Sequence, residues 1–234
     1  MTLDNILIIG ANRGLGFGLL KEMLTQKNTA NIIATYRNPE SSVELINLSK
    51  ENENLNLLNL EITDQNSIIK LKDNLAGKKI DHLIINSGIL IERESSIEQV
   101  TQEDLMKTFN TNVVGPLMLL QNLIDVILLS DKKVVMIMSS IAGSISSYTT
   151  HGRYSYRTSK AALNASMKIA SIELKGSGVK LLMMHPGWVK TDMGGNNALI
   201  EIDESVKGMV EVLKNATNYE TGSFVDYLGN KLEW

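Results

Sequence analysis

At 234 residues the chain is long enough to bury a sizeable core and short for two full domains, so one α/β domain over 1–234 is expected. Its 23 basic and 26 acidic residues leave a net charge of −3, which implies neither a polyanionic nor a polycationic partner and gives nucleic-acid binding no support. The absence of cysteine excludes disulfides, thiolate metal sites and cysteine nucleophiles.

The chain opens Met1-Thr2-Leu3-Asp4 and reaches an apolar run almost at once. No basic start, apolar stretch and cleavage site fit there, so export is not expected and the cytoplasm is the expected compartment. Short runs of branched aliphatic residues then recur at 6–9, 32–35, 55–60, 82–85, 134–138 and 179–184. Each is followed by a stretch with helical spacing, and a last strand is expected at 222–227 after a helix at 203–215. Runs that are apolar on both faces suit a parallel sheet covered by helices on either side. The expected fold is therefore α/β, a three-layer doubly wound parallel sheet of about seven strands, the Rossmann arrangement.

The first run leads directly into Gly10-Ala11-Asn12-Arg13-Gly14-Leu15-Gly16 and then an amphipathic stretch with Leu19, Leu20, Met23 and Leu24. Glycines at a strand end and helix start permit a tight turn and let backbone N–H groups approach a pyrophosphate at the positive end of the helix dipole. At the end of the second strand, where NAD-binding folds place an acid, stand Tyr36 and Arg37. With no acid to repel a 2′-phosphate and with Arg13 and Arg37 available to grip it, NADP(H) is the expected cofactor.

The apolar stretch 117–129 is interrupted by Gln121, Asn122 and Asp125 and falls short of the roughly 20 apolar residues of a membrane span. It reads as a buried or subunit-interface helix. After the strand at 134–138 come Ser139-Ser140-Ile141-Ala142-Gly143. A serine at the carboxyl edge of a parallel strand faces the crevice where ligands of such sheets bind, although a lone serine there is ordinarily a cap. Sixteen residues beyond Ser140, Tyr156 and Lys160 stand four apart in a helix expected over 156–175, on one face. A nearby ammonium favours the phenolate and brings a tyrosine toward useful acid–base range.

The ordered set of these signatures resembles the short-chain dehydrogenase/reductase family, in particular its carbonyl-reductase-like members, and the likeness runs nearly the length of the chain. Leu60-Glu61-Ile62-Thr63-Asp64 resembles the adenine-contacting segment, with Glu61 in place of the usual aspartate and Ile62 the next contact. Asn86-Ser87-Gly88 resembles the turn after the fourth strand, with Ser87 in place of alanine. Asn110-Thr111-Asn112 resembles the helix whose asparagine, here Asn112, completes a catalytic tetrad and holds a relay water. His185-Pro186-Gly187-Trp188-Val189-Lys190-Thr191-Asp192 resembles the nicotinamide segment, with Pro186, Gly187, Val189 and Thr191 as contacts.

What the resemblance implies is NADP(H)-dependent reduction of a ketone or aldehyde to an alcohol. Tyr156 is then acid and base, Ser140 orients the carbonyl, Lys160 holds the nicotinamide ribose and tunes Tyr156, and Asn112 positions water. Tyr156 and Lys160 would thus touch both substrate and cofactor. The partner is a small carbonyl or alcohol compound, and a homodimer or homotetramer is expected, with no nucleic acid and no membrane. A sensor of the same fold with little turnover is the alternative. Epimerases and dehydratases sharing the Tyr–Lys pair usually carry a larger carboxyl-terminal domain than this chain has room for. The 193–202 segment reads as a loop, and the Ser140–Tyr156 connection, longer than the family norm, is expected to shape the substrate pocket. His82, His151 and His185 are too dispersed for a metal site.

Overall fold

The computed structural model describes residues 3–26, 29, 31–91 and 96–234. Seven strands form one sheet: β1 (Asn5–Ile9), β2 (Asn31–Tyr36), β3 (Leu55–Asn59), β4 (His82–Ile85), β5 (Val134–Met138), β6 (Lys180–His185) and β7 (Ser223–Asp226). Every pairing is parallel and the spatial order is β3-β2-β1-β4-β5-β6-β7. The strands expected at 82–85 and 134–138 are met to the residue, and the others shift by one or two positions at their ends.

The helices are α1 (Gly14–Leu24), α2 (Val43–Glu51), α3 (Gln65–Asn74), α4 (Gln102–Phe109), α5 (Gly115–Leu128), α6 (Tyr154–Glu173) and α7 (Ile202–Lys214). Two cores follow from the period-two alternation of buried strands. Ile6, Ile8, Ile84, Met136, Met138, Leu182 and Met184 join Leu19, Leu20 and Met23 of α1 and Val206, Met209 and Val210 of α7 on one face. Leu7, Ile9, Leu83, Ile85, Val135, Ile137, Leu181 and Met183 join Leu119, Leu120 and Leu123 of α5 and Leu163 and Met167 of α6 on the other.

Between α4 and α5 the five residues Asn110–Val114 form a π-helical turn, so that helix runs unbroken from Gln102 to Leu128. At 27 residues it is the one described helix long and apolar enough to cross a membrane, longer than the sequence pattern suggested. Half of its apolar window is buried inside the protein, where it covers the sheet. Just before β5, Lys132 pairs with Asp4 at 2.5 Å.

The strand order reverses between β1 and β4. Beyond the carboxyl ends of such a pair the connections leave in opposite directions, and a crevice opens there. Gly10, Asn86 and the serines after β5 all lie at that edge.

Candidate active site

The glycine turn is shaped by contact as well as by conformation. Gly10 has φ +79°, a region that L side chains rarely adopt. A Cβ on Gly16 would lie 2.1 Å from the Gly10 carbonyl oxygen, so only glycine lets α1 start this close to β1. Asn86 Nδ2 donates to that same carbonyl at 2.9 Å, and the Gly10 N–H donates to Thr35 Oγ1 at 3.0 Å. Ser87 packs directly against Gly10. The turn is thereby fastened to β2 and β4.

No side chain caps the start of α1, and its first turn contains no acid. Free N–H groups at the positive end of an 11-residue helix form a cradle for an anion. The cradle, with a β-carbon excluded at Gly16, fits a dinucleotide pyrophosphate. Gly14 (φ +55°) faces Thr191, whose hydroxyl accepts the Gly194 N–H at 3.1 Å. Leu15 packs on the core beneath the turn. Asn12 donates to the Ser41 carbonyl at 3.3 Å. A cavity of about 340 Å³ beside the turn is lined by Asn12, Arg13, Ser41, Glu40 and Glu44 among others, and by none of the Tyr156 cluster.

Both arginines expected to meet a 2′-phosphate are engaged with acids. Arg13 pairs with Asp192 at 2.8 Å, and Arg37 lies 3.7 Å from Glu61. Glu61 also accepts from the Thr63 N–H and hydroxyl at 3.1 and 2.8 Å. The side chain of Ile62 is buried against Gly115, so its main chain is what it can offer a nucleotide. In the segment after β6, Pro186 accepts from Ser205 Oγ at 2.6 Å, Gly187 has φ +85°, and buried Val189 bridges to Ile200.

The second cluster is built where β5 ends. Ser139 turns into the core and donates to Asn164 Oδ1 at 2.5 Å. Its neighbour Ser140 faces the cleft. The Ser140 hydroxyl caps the turn Ile141–Gly143 by accepting the Ala142 N–H at 3.1 Å, and it lies close enough to the Tyr156 phenol to lower its pKa. Gly143 lets the turn press on α6, since a Cβ there would lie 2.7 Å from the Lys160 main chain.

Tyr156 and Lys160 share one face of α6, as the spacing predicts. Lys160 is 4% exposed; its Nζ donates to the Met138 carbonyl at 2.8 Å and lies 5.8 Å from the Tyr156 ring centroid. Gly88 stands beside it, a Cβ there falling 3.6 Å from Nζ. Burial disfavours the ammonium and pulls the Lys160 pKa down to about 8. Burial likewise pushes the Tyr156 phenol above its ordinary value, opposed by the hydrogen bond from Ser140 and by the charge of Arg153. Arg153 is a cation that lowers the phenol, while the charge of Lys160 is disfavoured by burial and its Nζ is directed at a carbonyl. At neutral pH Tyr156 is therefore a protonated phenol, fit to give a proton.

Asn112 sits in the π turn, fully buried. Its Oδ1 accepts the Ile89 N–H at 2.8 Å, and its Nδ2 donates to the Ile89 carbonyl at 2.9 Å and to Ser159 Oγ at 3.0 Å. Both amide protons are engaged, so a relay water would have to meet its main chain or the second lone pair of Oδ1. Ser159, absent from the sequence reading, donates to the Tyr156 carbonyl at 2.8 Å and so links the π turn to the first turn of α6. Its place between Tyr156 and Lys160 was the available signal. Among the described residues no group of histidines and carboxylates is set to hold a metal.

A model of the short chain dehydrogenase family matches residues 4–200, a span that includes the glycine turn, the π turn and α6. The carbonyl reductase Sniffer of D. melanogaster is 33% identical, with TM-score 0.94 over 99% of this chain and 100% of that one. The NADPH-bound carbonyl reductase from chicken fatty liver is also 33% identical, with TM-score 0.92 over 100% of both chains. The C-signal of Myxococcus xanthus is 34% identical over 161 residues, covering 69% of this chain and 96% of that protein. With a seven-stranded parallel sheet, a glycine cradle at its switch point and a family match over most of its length, this chain belongs to the short chain dehydrogenases and has a carbonyl-reductase-like fold.

Proposed function

We propose that the protein uses NADP(H) to reduce a ketone or aldehyde to an alcohol, with Tyr156 as the proton donor. The observation that carries this reading is the gathering of the Ser140 hydroxyl, close enough to lower the pKa of the Tyr156 phenol, with Tyr156 and a buried Lys160 at the carboxyl end of β5. The chemistry a reduced nicotinamide supplies when bound is hydride transfer to the carbonyl carbon. The chain's residues do the rest. Ser140 and Tyr156 hold the carbonyl oxygen between two hydroxyls, polarising it. Tyr156, kept protonated by burial, passes its proton to that oxygen as negative charge develops.

Lys160, with one donor on Met138, has others left for a ribose hydroxyl beside Tyr156. Gly10, Gly14 and Gly16 cradle the pyrophosphate, while Asn86, Ser87 and Gly88 line the next turn. Pro186, Gly187, Val189 and Thr191 would close over the nicotinamide. Glu61 and Ile62 would border the adenine, and Arg13 and Arg37 would exchange or share their carboxylate partners with a 2′-phosphate. The lack of an acid after Tyr36 and the NADPH bound to the chicken enzyme support NADP(H) over NAD(H).

The test is NADPH consumption across an aldehyde and ketone panel, with binding of NADPH and NADH titrated on the same protein. Turnover of at least one carbonyl with NADPH preferred is expected, and Arg37→Gln should weaken NADPH by about tenfold while sparing NADH. Similarity to the C-signal favours a second reading, a dinucleotide-binding signalling protein. Tight NADPH binding without turnover of any panel member would select it.

A further inference from the structure

On the reductase reading, we propose that Tyr148 is a positioning residue for the reaction: its hydroxyl ties the turn that follows Ser140 to the first turn of α6 and so sets how Ser140 stands against Tyr156. The Tyr148 hydroxyl donates to the Ala142 carbonyl at 2.9 Å and shares its proton with the Arg157 carbonyl at 3.3 Å. Both acceptors adjoin the chemistry. The N–H of Ala142 is the donor to Ser140 Oγ, and Arg157 directly follows Tyr156 in α6. One phenol oxygen therefore spans the two segments whose hydroxyls must meet at a single carbonyl oxygen.

The helix that the hydroxyl reaches also holds the ring. The Arg157 guanidinium stands 5.3 Å from the Tyr148 ring centroid, within cation–π range, and donates to the Thr150 carbonyl and, at 2.8 Å, to Thr150 Oγ1. Tyr148 and Thr150 are thus both fastened to Arg157. After Thr150 the chain turns into α6 through two left-handed residues, Gly152 (φ +88°) and Arg153 (φ 54°). Burial raises the pKa of the Tyr148 phenol, so at neutral pH it keeps the proton that makes it a donor.

The preceding residue supplies the contrast. Ser147 donates to the Ile141 carbonyl at 3.2 Å and to the Ser144 carbonyl at 2.8 Å, contacts that stay within the consecutive turns Ile141–Gly143 and Ile145–Ser147. They stiffen those turns without reaching α6. The first turn also meets α6 deeper in the protein, where Asn164 Nδ2 donates to the Gly143 carbonyl at 3.4 Å. A body held at one point can rock about it. Tyr148 adds a second point, beside Tyr156, and a misplacement of reacting groups by about 1 Å can cost about 100-fold in rate.

The experiment uses Tyr148→Phe, which removes the hydroxyl and keeps the ring over Arg157, with Ser147→Ala as control. For the smallest and the largest carbonyl of the panel that the wild type reduces, kcat and KM are measured with NADPH, and amide exchange of residues 140–148 is followed in the protein without cofactor. In Tyr148→Phe, kcat should fall by about fivefold or more, by the same factor for both carbonyls, with KM and NADPH affinity kept within about twofold. Exchange over 140–148 should speed up by about fivefold or more, and Ser147→Ala should keep kcat within about twofold of wild type. A kcat for Tyr148→Phe within about twofold of wild type, or unchanged exchange, overturns the positioning role and leaves the reductase reading standing. So does a loss that resides in KM and grows with carbonyl size, which marks a pocket wall, or an equal loss in Ser147→Ala or in NADPH affinity, which marks general damage. No turnover of any panel member by wild type overturns the reductase reading, and this proposal with it.

Discussion

The two edges of the sheet use buried polar groups for opposite ends. At the amino edge, Asp81 accepts from the Asn5 N–H and Nδ2 at 3.0 and 2.8 Å and from Ser130 Oγ at 2.5 Å. Burial pushes its carboxyl up, but those hydrogen bonds and the Lys132 charge outweigh it and the pKa ends below the ordinary value. Asp81, Asn5, Ser130 and Lys132 thereby satisfy one another. At the carboxyl edge, Tyr156 and Lys160 are each held where burial disfavours their charged form. A satisfied network favours the fold, whereas groups held in a disfavoured state cost it stability, which fits the proposed chemistry.

That contrast breaks most sharply at Lys160. Lys160→Met should lower turnover by about 100-fold or more, because the buried donor next to Tyr156 is lost. The same substitution should make the fold more stable. A lysine whose folded pKa is about 8 rather than 10.5 carries a penalty below pH 8 that is relieved as pH rises toward 10.5, about 3 kcal/mol at neutral pH. Leaving the Met138 carbonyl without its donor offsets about 1 kcal/mol of the gain. Urea unfolding at pH 7 checks the sign, and a destabilised Lys160→Met would remove the contrast.

Acid sharpens the comparison from both edges at once. His82 starts β4 and His185 ends β6, and burial holds each pKa down to about 4. A histidine with a depressed folded pKa gives stability that is complete above its unfolded pKa, near 6.5, and lost as pH falls toward 4. Between pH 7.5 and pH 5 each should cost about 2 kcal/mol. Unfolding free energies across that range should fall accordingly, and His82→Leu should remove about half of the slope.

The smallest effect is expected at Asp81. Asp81→Ala leaves Ser130 and Asn5 without their acceptor and should destabilise by about 1–3 kcal/mol, read as a lower urea midpoint. Its kcat/KM should match the wild type, since the whole length of the strands separates it from Tyr156.

Most of the fold was legible because buried parallel strands carry a doubly apolar pattern that other elements lack. Of the site, what was legible is what short motifs encode: the glycine turn, Ser140, and Tyr156 with Lys160. The π turn was not, since Asn110–Val114 reads as ordinary helix and one extra residue per turn leaves no periodic mark. Nor were contacts between distant segments, such as Ser159 with Asn112 or Arg13 with Asp192, which depend on how the strands are ordered in space. The left-handed Arg153 was hidden as well, with only Gly152 before it to hint at an unusual backbone.

The central claim is that Tyr156 gives up its proton to a substrate oxygen, and Tyr156→Phe tests it most directly because it removes that proton and little volume. Measured with NADPH and a carbonyl that the wild type reduces, turnover should fall about 100- to 10,000-fold, with NADPH affinity and melting temperature essentially kept. Turnover equal to the wild type in this variant would contradict the account.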